Sequence, residues 1–452
     1  MQKKILLLPV ILSTTLLVNP SYASTKTELQ AALAKQQQEI QAIEIQIAKL
    51  SQQKSEQQSE QMAQSKATNK NWEINSYGSL LYKSDEVFRN IQDTDPDRRA
   101  TMDLERVVLE FVYNFDSQWQ IETEIEFEHG GTGVSLEYDG FEEFGEFETE
   151  IEAGGEVIVE KLQVKYQYNQ YFTVKMGHIF VPVGLGTDLH KPSQFFSTER
   201  SWSESTMIPQ VWHETGVNLV SQWQDFTLQT LVTTGLNSEY FRTYNWVATG
   251  HQKRFEKVNA DDLALTIRLD YGNIKAGKGF GFSFYTGNTS GNRNNSNKIV
   301  GDGNLTIFGV HGAYQFDRWS VRGQYLFGQL DDSSAITEAN KTTAGLQPGN
   351  FASLGSEADS SFIELAYNTQ GLFNISKPLY LFSVYQYSNP IKALEQGVPT
   401  ERFDQEELAF GVNFSPVDNL IFKAQFAERA YAQAGLDNTR SFSLSMGYFF
   451  SI

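Results

Sequence analysis

From Trp72 to the C-terminus apolar residues recur at every second position, and no other feature constrains the fold as strongly. Val107, Leu109, Phe111, Tyr113 and Phe115 share one side of an extended segment. After Asp116-Ser117-Gln118, the next segment places Trp119, Ile121, Thr123, Ile125 and Phe127 on one side and Gln120, Glu122, Glu124, Glu126 and Glu128 on the other. Strict alternation of this kind makes a strand with one greasy and one polar face. It returns in Leu263/Leu265/Ile267/Leu269/Tyr271, Phe280/Phe282/Phe284, Leu408/Phe410/Val412/Phe414 and Phe442/Leu444/Met446/Tyr448/Phe450/Ile452. Segments of about ten residues are the length at which a tilted strand crosses a bilayer. With 20 Tyr, 32 Phe and 34 Gly against 11 Pro, composition also leans towards strands and turns.

Connection lengths separate a barrel from a soluble sandwich. Short links at 116–118, 169–171, 224–225, 272–275, 317–318 and 416–418 alternate with long ones at 84–104, 129–156, 182–212, 237–259, 289–302, 330–358 and 389–404. Outer-membrane barrels have short turns at one end and long loops at the other, whereas a sandwich has no cause for such alternation. Counting from Trp72 gives about sixteen strands, an even number in the size range of water-filled pores. The expected fold class is all-β: a transmembrane antiparallel β-barrel over 72–452, preceded by a short N-terminal α-helical coiled coil.

The residues ahead of the barrel divide in two. Lys3-Lys4, the apolar run 5–18 and Ser21-Tyr22-Ala23 read as a secretory signal peptide over 1–23, the run being short for a membrane anchor. In 24–71, heptad positions a and d hold Leu29, Leu33, Gln36, Ile40, Ile43, Ile47, Leu50 and Lys54, a seam that fades into a Gln/Ser tract. Ile at both a and d favours three strands or more, so a homotrimer is expected, with a single solvated helix as the alternative. Export to the outer membrane of a Gram-negative envelope follows, because no later stretch is apolar enough to span as a helix.

A net charge of −19 leaves no basic footprint for nucleic acid. The absence of Cys removes disulfides, thiolate zinc sites and Cys nucleophiles together. No metal or cofactor is expected: six His, none spaced His-x-x-x-His, offer no ligand set. An enzyme is the competing class. His129, His190 and His213 lie in or beside loops with acids nearby, but no Gly-x-Ser-x-Gly element exists, and the expectation is a protein without catalytic residues.

The stretch 154–216 carries a resemblance. Met176-Gly177-His178-Ile179-Phe180-Val181-Pro182-Val183-Gly184 resembles the Gly-x-x-x-x-Pro-x-Gly segment of the phosphate-selective porin O/P-like family. His190-Lys191-Pro192, Phe195-Phe196, Glu199-Arg200 and 208–216 are similar to the run that follows it there. The leading heptads resemble those of trimeric dicarboxylate-selective porins, and the last strand resembles the signal read by the barrel-assembly machinery, with Ile452 in place of Phe. The resemblance implies a trimeric passive channel among outer-membrane lipid and lipopolysaccharide. Phosphate selectivity does not carry over with it: residues 107–160 contain no Lys or Arg, and 129–156 hold nine acids between Glu137 and Glu156.

Strand parity gives the lumen. Opposite the greasy faces lie Glu110, Glu122, Glu124, Glu126, Lys161, Lys165, Lys175, Arg268, Arg322, Glu364, Glu407, Lys423 and Arg429, which would be costly against lipid and are expected to line a pore. Two readings of them are open: a charged wall that sets ion preference, or pairs such as Glu124 and Lys165 that neutralise each other across the ladder. Segment 182–212, with Pro182, Pro192 and Pro209 among Phe195, Phe196, Arg200 and Trp202, is expected to fold inward and narrow the pore, its mouth framed by His190, Arg200 and Glu214. The expected function is passive diffusion of small hydrophilic solutes, small organic anions among them, with a phosphate channel or a plugged envelope tether as alternatives.

Overall fold

The computed structural model describes residues 71–89, 92–130, 137–138, 149–150, 157–252, 257–293, 298–342, 353–372 and 376–452. The expected signal peptide over 1–23, the heptads between Leu29 and Lys54 and the side chains of the acidic loop from Glu137 to Glu156 lie outside the described residues.

Sixteen strands close into one antiparallel barrel in which each pairs with its neighbours in sequence and the last returns to the first. The first eight are β1 Trp72–Val87, β2 Asp97–Asn114, β3 Trp119–Glu128, β4 Val157–Gln167, β5 Phe172–Phe180, β6 His213–Trp223, β7 Phe226–Thr234 and β8 Leu263–Asn273. The second eight are β9 Lys278–Gly287, β10 Leu305–Phe316, β11 Trp319–Leu330, β12 Glu357–Asn368, β13 Leu379–Ala393, β14 Gln405–Val417, β15 Leu420–Tyr431 and β16 Thr439–Ser451. A separate small ribbon pairs Glu137–Tyr138 with Thr149–Glu150.

The alternation reads directly as outside and inside. Phe280 is 64% exposed and Phe410 54%, while Glu124 and Arg268 are fully buried. A soluble protein would reverse this; a barrel with an apolar exterior belongs in a bilayer. At the short-turn rim aromatic rings meet in succession: Trp72 with Tyr113, Trp119 with Tyr166, Phe226 with Tyr271 and Trp319 with Tyr367, with centroids 4.4–5.1 Å apart. That belt marks an interface between hydrocarbon and water.

Three links differ from the sequence expectation. The loop placed at 84–104 spans only 88–96, because β1 and β2 continue pairing through Val87 and Asp97. Those added rungs, such as Asp85 with Arg99 and Glu86 with Arg98, are polar on both faces, so no alternation announces them. The links 369–378 and 432–438 complete the set, one on each rim.

Half of the barrel encloses an apolar core. Leu231, Tyr285, Leu305, Ile307 and Leu326 point inward from β7 to β11 and pack with Val181, Met207, Ile208, Trp212, Phe241 and Trp246 from the long loops. Strands here are apolar on both faces: Ile307 is fully buried while Phe308 beside it is 50% exposed.

Candidate functional site

The lumen wall of β2, β3 and β4 gathers three carboxylates of the sequence expectation around one lysine and sets the fourth, Glu126, beside an arginine. A bulge follows directly: Glu124 pairs with Lys161 but Ile125 with Val159, so Glu160 is an extra residue and both it and Lys161 are buried. Lys161 Nζ lies 2.9 Å from Glu110 and 2.7 Å from Glu124 and also contacts Glu122. Tyr77 donates to Glu124 at 2.6 Å, and Gln163 to Glu122 at 2.6 Å. Lys191 adds a second cation, 3.3 Å from Glu110. Glu126 faces the buried Arg106 at 3.7 Å.

The pairing of Glu124 with Lys165 is corrected: Lys161 takes that carboxylate, and Lys165 stands opposite Gln120 and Lys175. The register is the reason: Gln120 pairs with Lys165 and, four rungs on, Glu124 with Lys161, and parity counting along a single strand gives a residue's face but not its partner.

Segment 181–212 runs across the interior and is fastened to the wall on many sides. Pro192 opens a single 3₁₀ turn and Trp202–Ser205 forms a short helix; the rest follows side chains rather than a ladder. Arg106 donates to the His190 carbonyl at 2.7 Å and Arg268 to the Gly184 carbonyl at 2.9 Å. Glu364 accepts the backbone N–H groups of Phe196 and Ser197, both at 3.0 Å, while bonded to Arg322. Lys423 donates to the carbonyls of Phe195 and Ser197 at 2.8 and 2.9 Å. Lys83 meets Glu199 at 2.9 Å, and Arg429 bonds Glu407 at 2.8 Å while lying over the Trp202 ring. Gly447 lets the chain come close, since a Cβ there would stand 2.6 Å from that of Pro192.

The segment reaches far towards the short-turn rim. Leu185 and Leu189 pack on Ile274, Ala313 and Phe362, and Asp188 lies 2.7 Å from Arg268 and 3.3 Å from Lys275 of the 274–277 turn. Burial alone would raise the Asp188 carboxyl, but Arg268 and Lys275 hold it down at about 2. Glu204 has no such cation within bonding distance. Burial pushes it up to about 7, even though Gln324 and the backbone N–H groups of Gly186 and Leu185 donate to it.

His190 and Arg200 fall in one neighbourhood. Burial lowers the His190 ring below its usual range; its Nδ1 is 2.9 Å from the Thr187 carbonyl and its Nε2 3.7 Å from Glu124. Burial and the Arg106 charge lower Arg200. Glu214 is not part of that frame: it is 3% exposed on β6 and bonds Thr234 and Trp212, beside the apolar core. Its place follows from Trp212, which draws the start of β6 into the core. Lys175 lines the wall opposite Lys165 and Asn218.

Sequence reasoning missed Arg106, Glu160, Asp188 and Glu204 as partners. Arg106 shares the inward parity of Glu110, so parity was the available signal; nothing local marks the other three.

On the side of β13–β16 and β1 a cavity of about 280 Å3 remains above the segment, lined by Lys83, Trp202, Glu407, Arg429 and Tyr431 among others.

No protein-family model matches the sequence. An uncharacterised protein of Aquifex aeolicus (strain VF5) is 25% identical over 367 residues, covering 79% of this chain and 76% of that one. Among solved structures, the chain is similar to an anion-selective porin from Comamonas acidovorans, with 9% identity, 84% and 100% of the two chains covered and a TM-score of 0.48. It is also similar to the outer membrane channel DcaP of Acinetobacter baumannii, with 11% identity, 85% and 99% coverage and a TM-score of 0.48. OmpF of Salmonella typhi in complex with daunomycin gives 11% identity, 83% and 97% coverage and a TM-score of 0.49.

Proposed function

We propose that the chain is an outer-membrane porin through which small hydrophilic solutes diffuse passively, with segment 181–212 as its constriction and no catalytic role. One observation carries this reading: a closed barrel greasy outside and charged inside is crossed by a segment that the wall's own charges hold in place. Inward cations that are already paired, such as Arg268, Arg322 and Arg429, leave the path weakly selective rather than built around a tight phosphate site. Small organic anions fit that picture, and a homotrimer inserted among lipopolysaccharide by the assembly machinery completes it.

Single-channel recording in planar bilayers tests the reading. Stepwise ohmic currents and a small reversal potential under a KCl gradient are expected. Current blocked by micromolar phosphate would favour the phosphate channel. The apolar core within the lumen favours one rival, a plugged barrel that anchors another envelope layer. A heat-modifiable, fully folded barrel without current would support that rival.

A further inference from the structure

The outer wall of β9 to β12 is indented. Gly312 of β10 and Gly323 of β11 are directly opposed in the register. Both stand in outward rows, Gly312 between the exposed Val310 and Tyr314, and Gly323 two residues before the exposed Tyr325. Neighbouring outward positions carry Phe280, Phe282, Val310, Tyr314, Tyr325 and Ile363, and a groove of about 1060 Å3 opens among these large side chains. That is room for an organic ligand, on the face that meets hydrocarbon. Packing within the chain does not require glycine at 312: an added Cβ would meet the Gly279 carbonyl and the Phe280 side chain at 3.4 Å, an ordinary contact, and its φ is not positive.

One end of the groove is charged. Lys278 opens β9 directly after the turn 274–277, exposed, in the outward row of Phe280 and Phe282 and opposite Tyr314. Among the described residues it makes no hydrogen bond or ion pair. A lysine facing lipid is costly at the midplane and tolerated only near the interface, and the aromatic belt puts Lys278 there. The Tyr271 ring lies 5.1 Å from that of Phe226 and 5.5 Å from that of Phe280. The ammonium therefore stands at headgroup level, and the groove leads from it towards the middle of the bilayer.

That charge decides what fits. A second copy of the chain would need a carboxylate opposite Lys278, and the outward strand positions at this rim are residues such as Trp72, Tyr113, Trp119, Tyr166, Phe414 and Tyr448, with no carboxylate among those described. A glycerophospholipid brings both parts, a phosphate for the ammonium and an acyl chain for the groove.

We propose that the groove over Gly312 and Gly323 binds a glycerophospholipid of the leaflet at the short-turn rim, its phosphate on Lys278 and one acyl chain along Phe280, Val310 and Ile363. The chain supplies the contacts that the groove's lining otherwise lacks, and the phosphate gives the ammonium a charge-assisted partner. The proposal goes beyond the porin reading and requires only that the barrel lie in a bilayer.

Native mass spectrometry of the full chain, purified in detergent and mixed with dioleoyl phosphatidylethanolamine, tests it, with dioleoylglycerol as the probe that lacks a phosphate. One retained phospholipid per chain is expected, and no retained dioleoylglycerol. Lys278→Gln should weaken retention about tenfold, as loss of a charge-assisted contact implies. Gly312→Leu, which fills the groove, should abolish it, and Phe410→Leu on β14 should leave it intact. Gel heat-modifiability checks that each variant is folded. Equal retention of the two probes, or undiminished retention in folded Lys278→Gln or Gly312→Leu, overturns the proposal. So does lipopolysaccharide retained in place of phospholipid, which would put the ligand in the other leaflet, or loss of all lipid in an assembly whose copies cover the groove.

Discussion

Lys161 touches three carboxylates, and its removal would leave Glu110, Glu122 and Glu124 facing one another with Lys191 beside Glu110 alone. Loss of one partner from a buried ionic cluster costs about 3–5 kcal/mol. Lys161→Met should therefore lower urea stability by about that much, whereas Lys165→Met should leave it unchanged or raise it. Equal losses would mean that Lys161 has no special place. Glu204 gives a pH dependence. Its carboxyl is raised to about 7 in the folded chain from an ordinary 4.5, so the folded state holds the proton longer. Stability from this group is fully present below about 4.5 and is lost as pH rises through about 7, a difference on the order of 3 kcal/mol. Glu204→Gln should flatten the melting temperature between pH 5 and 8; a slope equal to that of the parent chain would remove the assignment. Parity on the sequence identified which charges point inward. It could not identify their partners, because Asp188 and Glu204 come from a segment without a period and Glu160 enters through a bulge.

Segment 181–212 is the element on which the porin reading turns. Its fastening combines Arg268 with Asp188, Lys423 with backbone carbonyls, and Glu364 with backbone N–H groups, so deletion of residues 193–206 would free several wall charges at once. A shortened chain with Glu364→Gln and Lys423→Met to quiet the exposed wall should conduct more than the parent. Unchanged conductance in a heat-modifiable, folded variant would show that the narrow point lies elsewhere. Prolines at 182, 192 and 209 made the segment legible as one that no central ladder could include. The route it takes was not legible, since it is set by side chains on many distant strands, Arg106, Arg268, Glu364 and Lys423 among them. The bulge in β4 and the polar continuation of β1 and β2 were hidden for a related reason: a period-two pattern reports only strands whose two faces differ.

For the whole molecule, closure after sixteen strands could be read from alternating link lengths, because the two rims of a membrane barrel meet different surroundings. The apolar core inside the lumen could not. Ile307 and Phe308 are both apolar and look like one greasy run, yet one faces the packed loops and the other the exterior. This two-sidedness makes a direct test of the bilayer assignment possible. Val310 lies near the middle of β10, 56% exposed and opposite Phe282 and Tyr325. An arginine on the lipid face near the midplane costs about 2–4 kcal/mol, so Val310→Arg should reduce folding into lipid vesicles by that amount. Thr227 on β7 instead stands opposite Asp270, within the inward row that Arg268 and His311 share. Thr227→Arg introduces the same charge into water and beside a carboxylate, and its folding free energy should stay near that of the parent. Equal penalties at the two sites would mean that both faces meet the same medium, and the membrane reading would fall with them.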